Sequence, residues 1–126
     1  MPGFQAGYPS SVDPVVLLVE DNGAMRALIR SLVEEVNASV HECESGQSAV
    51  DAYGDLRPDW VLMDIEMAGL DGIAATRAIR ALDPEARVII VTAHGDEEYR
   101  QAAEAAGALG FVLKENLLEL PGLLAG

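Results

Sequence analysis

The feature that most constrains the fold is a regular alternation of short apolar runs with amphipathic stretches of helical period. Five apolar runs follow one another along the chain: Val15–Val19, Ala38–Cys43, Trp60–Met63, Val88–Val91 and Leu109–Leu113. Four of them are nearly continuous in hydrophobic residues, which is typical of strands buried on both faces of a parallel sheet. The second run includes Ser39, His41 and Glu42, so it is predicted to be an edge strand.

The segments between these runs have the spacing of helices with one apolar face. The clearest stripe consists of Met25, Leu28, Ile29, Leu32, Val33 and Val36. A less regular helix is predicted from about Asp71 to Leu82, with Asp71 and Asp96 as N-caps and Gly107 as a C-terminal stop. A last helix is predicted to begin near Leu118, because this start places Pro121 in the first turn, where a helix tolerates proline. Strands alternating with helices indicate an α/β fold: a doubly wound, five-stranded parallel sheet with helices on both faces.

Polar residues follow four of the five predicted strands. Glu20 and Asp21 follow the first, Asp64 the third, Thr92 the fourth and Lys114 the fifth. In an open parallel sheet all carboxyl ends lie at one edge, and ligands bind there. The sequence therefore predicts that three carboxylates, a hydroxyl and an ammonium group share one small cleft.

This set of groups constrains the chemistry of the cleft. Two like charges about 4 Å apart repel by roughly 4 kcal/mol at an effective dielectric constant of 20, so clustered carboxylates call for a divalent cation or a bound proton. Oxygen ligands without nearby cysteine or histidine favour a hard ion, and incomplete protein coordination favours Mg²⁺. A carboxylate beside Mg²⁺, with a lysine and a hydroxyl opposite, is suited to phosphoryl transfer onto aspartate.

Charge and composition exclude several other classes of function. The chain has 126 residues and a formal net charge of −13, so direct binding to nucleic acid or to an anionic membrane is disfavoured. A single cysteine, Cys43, cannot form an internal disulfide or a structural zinc site. With no leader pattern or long apolar segment, we expect a cytoplasmic domain at residues 14–126, preceded by a flexible lead-in at residues 1–13.

The residues around the cleft resemble the signature segments of response regulator receiver domains, the CheY-like modules of two-component phosphorelay signalling. The segments that carry the resemblance are Val19–Asn22, Pro58–Met67, Val91–Ala93 and Gly110–Lys114. The similarity extends from about Val15 to the end of the chain, and it implies the strand order 2-1-3-4-5.

The resemblance also implies a role for each residue of the cleft. Asp64 would be the phosphoacceptor, and Mg²⁺ would be held by Asp64, by Asp21 directly, by Glu20 through water, and by the backbone carbonyl of Glu66. Thr92 would hydrogen-bond the phosphoryl group and Lys114 would pair with it. Phe111 would be the aromatic residue that turns with phosphorylation.

By the same resemblance, the phosphoryl donor would be a histidine kinase, a phosphotransfer protein or a small acyl phosphate. The domain would catalyse its own phosphorylation and slow hydrolysis without being a turnover enzyme. Its output would act through the fourth helix, fifth strand and last helix on a partner, a second copy of the chain or a downstream domain. Whether the chain is a stand-alone receiver or part of a longer protein is left open.

Two positions depart from the family pattern. Ala68 stands where proline usually follows the methionine, which predicts a less rigid loop after Asp64. Glu115 stands where proline often follows the lysine, so we expect a trans bond between Lys114 and Glu115. His94 is expected to be a solvated loop residue.

Two other functions compete with this interpretation. A Mg²⁺-dependent phosphatase with an aspartyl nucleophile would typically have a second aspartate two residues on, where this chain has Glu66. A degenerate receiver that acts without phosphorylation would usually lack the acceptor aspartate, the lysine or the acidic pair, and all three are present here.

Overall fold

A computed structural model describes residues 13–125. The strands are β1 (Val15–Val19), β2 (Ser39–Cys43), β3 (Trp60–Met63), β4 (Val88–Thr92) and β5 (Gly110–Leu113). The helices are α1 (Gly23–Val33), α2 (Gly46–Leu56), α3 (Gly72–Leu82), α4 (Glu97–Ala105) and α5 (Leu120–Ala125). Nearly all of the predicted N-terminal lead-in lies outside the described residues.

The five strands form one parallel sheet in the order β2-β1-β3-β4-β5, as the resemblance implied. Strand β1 lies between β2 and β3, with Val19 aligned with Cys43 on one side and with Met63 on the other. Strand β2 lies at an edge, as its polar composition predicted, and His41 on it is exposed. This order places the end of β1 directly beside the end of β3.

Helices cover both faces of the sheet, because successive residues of each strand point to opposite sides. Leu17 and Val19 of β1 pack with residues of α2, α3 and α4, whereas Val16 and Leu18 pack with α1 and α5. Most strand residues are consequently buried, and the polar ends of the strands are left to form the site.

Helix boundaries follow local capping chemistry. The carboxylate of Asp71 accepts a hydrogen bond from Ala74 N at 2.9 Å and caps α3 as predicted. Asp96 occupies the N-cap position of α4, but its side chain makes no capping hydrogen bond. Gly107 follows α4 with φ +100°, a conformation that favours glycine over any residue with a Cβ atom.

The C-terminal segment differs slightly from the prediction. A 3₁₀ segment spans Lys114–Glu119, and the α-helix begins at Leu120, two residues after the predicted start, with Pro121 in its first turn. The peptide bond between Lys114 and Glu115 is trans, since the described residues contain no cis bond. None of the helices described is long and apolar enough to cross a membrane.

Candidate functional site

Three carboxylates meet where β1 and β3 end. Glu20 and Asp64 are buried, with exposed fractions of 2% and 5%, whereas Asp21 is exposed. The backbone N–H of Asp64 donates to Val19 O at 3.1 Å, which fixes the two strand ends side by side. One carboxylate oxygen from each of the three residues lies within 4.8 Å of the others. The predicted acidic cluster is therefore formed.

Lys114 reaches this cluster from the end of β5. Its Nζ donates to Asp64 Oδ2 at 3.3 Å and lies 2.8 Å from Glu20 Oε1. Both carboxylates are therefore paired with the same ammonium group, Glu20 at the shorter distance. One lysine compensates only part of the negative charge of the three carboxylates.

Burial and mutual charge shift the pKa values of this group. Burial, and after it the charge of Glu20, raise the pKa of Asp64, and Lys114 opposes them only in part. Burial also acts to lower the pKa of Lys114, but Glu20 and Asp64 outweigh it and raise that pKa. Lys114 therefore keeps its proton and its positive charge, and it lies beside a carboxylate whose ionised form is destabilised by burial.

The donor set fits a hard divalent cation. All candidate ligands of the cluster are carboxylate oxygens, and the single ammonium group of Lys114 offsets only part of their negative charge. Asp21 and Glu66 line a groove of about 510 Å³ beside the cluster, which leaves room for water as the remaining ligands. These residues could hold Mg²⁺.

Thr92 is the last residue of β4 and is completely buried. Its Oγ1 accepts a hydrogen bond from His94 N at 3.2 Å. This hydrogen bond connects the Thr92 hydroxyl to the loop that follows β4.

Phe111 lies on the same face of the sheet as Thr92. Phe111 is aligned with Ile90, and side chains two residues apart on β4 share a face. The ring is partly buried, and the guanidinium carbon of Arg100 on α4 lies 4.5 Å from the ring centroid. The aromatic residue is therefore held in a groove between α4 and β5 beneath a cation.

The loop after β3 depends on a close backbone contact. Gly72 N donates to Ile65 O at 2.9 Å, and a Cβ atom at Gly72 would lie 1.8 Å from Asp64 O. Only glycine permits this approach of α3 to the backbone of Asp64. The sequence signal for this contact is a glycine directly after the predicted N-cap Asp71.

Sequence reasoning also missed a side-chain contact between the loops that follow β3 and β4. His94 was expected to be solvated, but it is half-buried, and its Nε2 lies 2.7 Å from Glu66 Oε1. Its ring packs against Tyr99, with the centroids 5.6 Å apart. Nothing in the local sequence could reveal this pair, because Glu66 and His94 lie on loops after different strands.

Comparisons with known proteins agree with this geometry. Residues 16–121 match the family described as the response regulator receiver domain. The chemotaxis protein CheY of Halobacterium salinarum is 43% identical over 99 residues, which cover 79% of this chain and 82% of the relative.

Solved structures give the same result. The crystal structure of a LuxR-family two-component response regulator from Aurantimonas sp. matches with a TM-score of 0.82 and 33% identity, covering 91% of this chain and 87% of that one. A chain of the CheX-CheY-BeF3-Mg+2 complex from Borrelia burgdorferi matches with a TM-score of 0.79 and 26% identity, covering 82% and 80%.

Proposed function

The chain belongs to the response regulator receiver domain family and is a phosphoacceptor domain of two-component signalling; on that premise, we propose that Asp64 is the residue that accepts the phosphoryl group. The observation that carries this proposal is a buried aspartate whose carboxylate lies among two other carboxylates and a lysine. Among residues 13–125, Glu20, Asp21 and Asp64 are the one acidic group with this geometry.

Hydrogen bonds from two neighbouring groups orient the Asp64 carboxylate for attack on phosphorus. Its Oδ1 accepts from Ile65 N at 2.8 Å, and its Oδ2 accepts from Lys114 Nζ at 3.3 Å. A carboxylate oxygen attacks the phosphorus of a phosphohistidine or an acyl phosphate, and the new O–P bond replaces the donor's N–P or O–P bond. The departing electron pair stays on the imidazole nitrogen or the carboxylate of the donor. In hydrolysis a water oxygen attacks phosphorus, and Asp64 leaves as a carboxylate.

The acidic cluster suits Mg²⁺, which when bound neutralises charge on the phosphoryl oxygens. We assign Asp21 as a direct ligand because it is the exposed member of the cluster, and Glu20 as a ligand through water. Asp64 and the backbone carbonyl of Glu66 would complete the protein ligands. The related CheX-CheY complex from Borrelia burgdorferi contains Mg²⁺, which supports the choice of this ion but not the division of ligand roles.

Lys114 and Thr92 act on the transferred group from the opposite side. The ammonium group of Lys114 is already within reach of Asp64 and pairs with a phosphoryl oxygen after transfer. The Thr92 hydroxyl turns to donate a hydrogen bond to another phosphoryl oxygen, and this movement frees space toward which Phe111 moves. The face formed by α4, β5 and α5 then changes shape and acts on an output partner, a second copy or a further domain. The domain catalyses these steps on itself and turns over no separate substrate.

Intact-mass spectrometry after incubation with acetyl phosphate and Mg²⁺ tests the assignment. The protein should gain about 80 Da, the mass expected for one phosphoryl group on one carboxylate. Asp64→Ala and chelation of Mg²⁺ should each abolish the gain. Asp55→Ala, which removes an exposed carboxylate of α2, should not change it. A full gain in Asp64→Ala would refute the assignment, and steady release of phosphate from a phosphate ester would favour a phosphatase.

A further inference from the structure

The backbone carbonyl of Glu20 lies where the ladder between β1 and β2 ends. Glu20 N donates to Cys43 O at 3.0 Å, and in a parallel ladder the C=O of a residue faces the same neighbour as its N–H. If the ladder continued, the next backbone N–H of β2 would donate to Glu20 O. Strand β2 ends at Cys43, however, and the chain turns into α2, whose N-cap is Ser45. Within residues 13–125, no backbone N–H reaches Glu20 O.

Arg26 of α1 supplies the missing donor. Its Nη1 donates to Glu20 O at 2.8 Å, and its Nε donates to Glu42 Oε1 on β2 at 2.7 Å. The side chain is only 17% exposed. The planar guanidinium group lets one residue hold both acceptors in a fixed geometry, which a lysine with a single nitrogen does not do.

This carbonyl belongs to the peptide unit that joins Glu20 to Asp21. Because the unit is planar, fixing its oxygen also fixes the direction in which the chain leaves toward Asp21. We propose that Arg26 is a positioning residue of the metal site, which orients the Glu20–Asp21 peptide so that Asp21 is held in place to bind Mg²⁺. The inference rests on the proposed function of the site.

Arg30 offers a matched control on the same helix. It lies one turn after Arg26 and also forms ion pairs, one with Glu42 and one with Glu34 at 3.1 Å. Its hydrogen bonds within the described chain go to those two glutamates and not to Glu20. Arg30→Gln therefore removes the same charge and the same type of ion pair but leaves the Glu20 carbonyl bonded.

The test is a Mg²⁺ titration by calorimetry of the parent protein, Arg26→Gln, Arg30→Gln and Glu42→Gln at constant ionic strength. Loss of a partner that orients a metal ligand typically weakens metal affinity about 10- to 100-fold, so we expect a Kd at least about tenfold higher for Arg26→Gln. Arg30→Gln and Glu42→Gln should remain within about threefold of the parent, since both keep the bond to Glu20 O. Arg26→Met, which keeps the aliphatic stem and helix propensity, should behave as Arg26→Gln and serves if that variant does not fold.

The Mg²⁺ dependence of phosphorylation by acetyl phosphate separates positioning from general damage. For Arg26→Gln we expect a higher half-saturating Mg²⁺ concentration but a maximal rate within about twofold of the parent, because only ground-state metal binding is weakened. An unchanged half-saturating concentration with a lower maximal rate would overturn the proposal. So would equal Mg²⁺ affinities for Arg26→Gln and Arg30→Gln in a parent that binds the ion. A parent that neither binds Mg²⁺ nor accepts phosphate would instead refute the proposed function, and this inference with it.

Discussion

The contact between Arg100 and Phe111 leads to a quantitative prediction about switching. The guanidinium carbon lies 4.5 Å from the ring centroid and covers Phe111 in the groove between α4 and β5. This contact is available only to the conformation in which the ring occupies that groove. A modification or mutation shifts a conformational equilibrium only through a difference in interaction between the two states. Arg100→Ala should therefore favour the conformation in which Phe111 turns toward Thr92, even without phosphate.

The size of the shift follows from the exposure of Arg100. A cation–π contact at an exposed site contributes about 0.5–1 kcal/mol. Since about 1.4 kcal/mol corresponds to a factor of ten, its loss should change the ratio of the two conformations about two- to fivefold. A turned conformation populated at about 5% would then rise to about 10–20%.

Fluorine NMR of protein labelled with 4-fluorophenylalanine measures this change directly. The chain contains only two phenylalanines, Phe4 and Phe111, so Phe111→Leu assigns the signal. In unphosphorylated Arg100→Ala the Phe111 resonance should move part of the way toward its position in the phosphorylated parent. Arg77→Ala is the matched control, because Arg77 is an exposed arginine on α3 with no aromatic partner in the described part of the chain.

Two results would contradict this reasoning. An unchanged Phe111 signal in Arg100→Ala would mean that the cation contributes nothing to the position of the ring. Equal shifts in Arg100→Ala and Arg77→Ala would assign the effect to net charge and not to the contact.

Three further predictions follow from the site and the core. Asp21→Asn should weaken Mg²⁺ binding, measured by calorimetric titration, more than Glu20→Gln does, because a direct ligand loses more than one acting through water; equal losses would show that these roles are wrongly divided. Thr92→Ala should still gain the phosphoryl mass but lose most of the phosphorylation-dependent fluorine shift, and a full shift would place the switch elsewhere. Burial and the hydrogen bond to Asp83 raise the pKa of Tyr53 to about 12, so the stability linked to this proton is complete below its usual pKa of 10.0 and is lost as pH rises toward 12. Tyr53→Phe should lower the thermal midpoint at pH 7, and its midpoint should fall less than the parent's between about pH 10 and 12. An equally steep fall in both proteins would show that deprotonation of Tyr53 does not cause it.

Local pattern was sufficient for most of the fold. The five strands lie within one residue of their predicted bounds, and α3 lies within one residue of its own, because continuous apolar runs and helical stripes report burial directly. The apolar stripe predicted for the first helix extends to Val36, but the α-helix ends at Val33 and a 3₁₀ turn, Glu34–Val36, follows it. The start of α5 was placed two residues early, since the 3₁₀ segment before it has no distinct periodicity. Strand order was available only through the resemblance, as no local pattern encodes which strands are neighbours.

The sequence by itself determined which chemical groups gather at the carboxyl edge of the sheet. Parallel strands bring their ends together whatever the details of packing, so Glu20, Asp21, Asp64 and Lys114 could be assigned to one cleft in advance. Tertiary structure alone decided which atoms touch. The bond from Arg26 to the Glu20 carbonyl, the Glu66–His94 pair and the cation over Phe111 each join residues on different elements. Their distances depend on how helices and loops settle against the sheet, and no period or motif within a single segment carries that information.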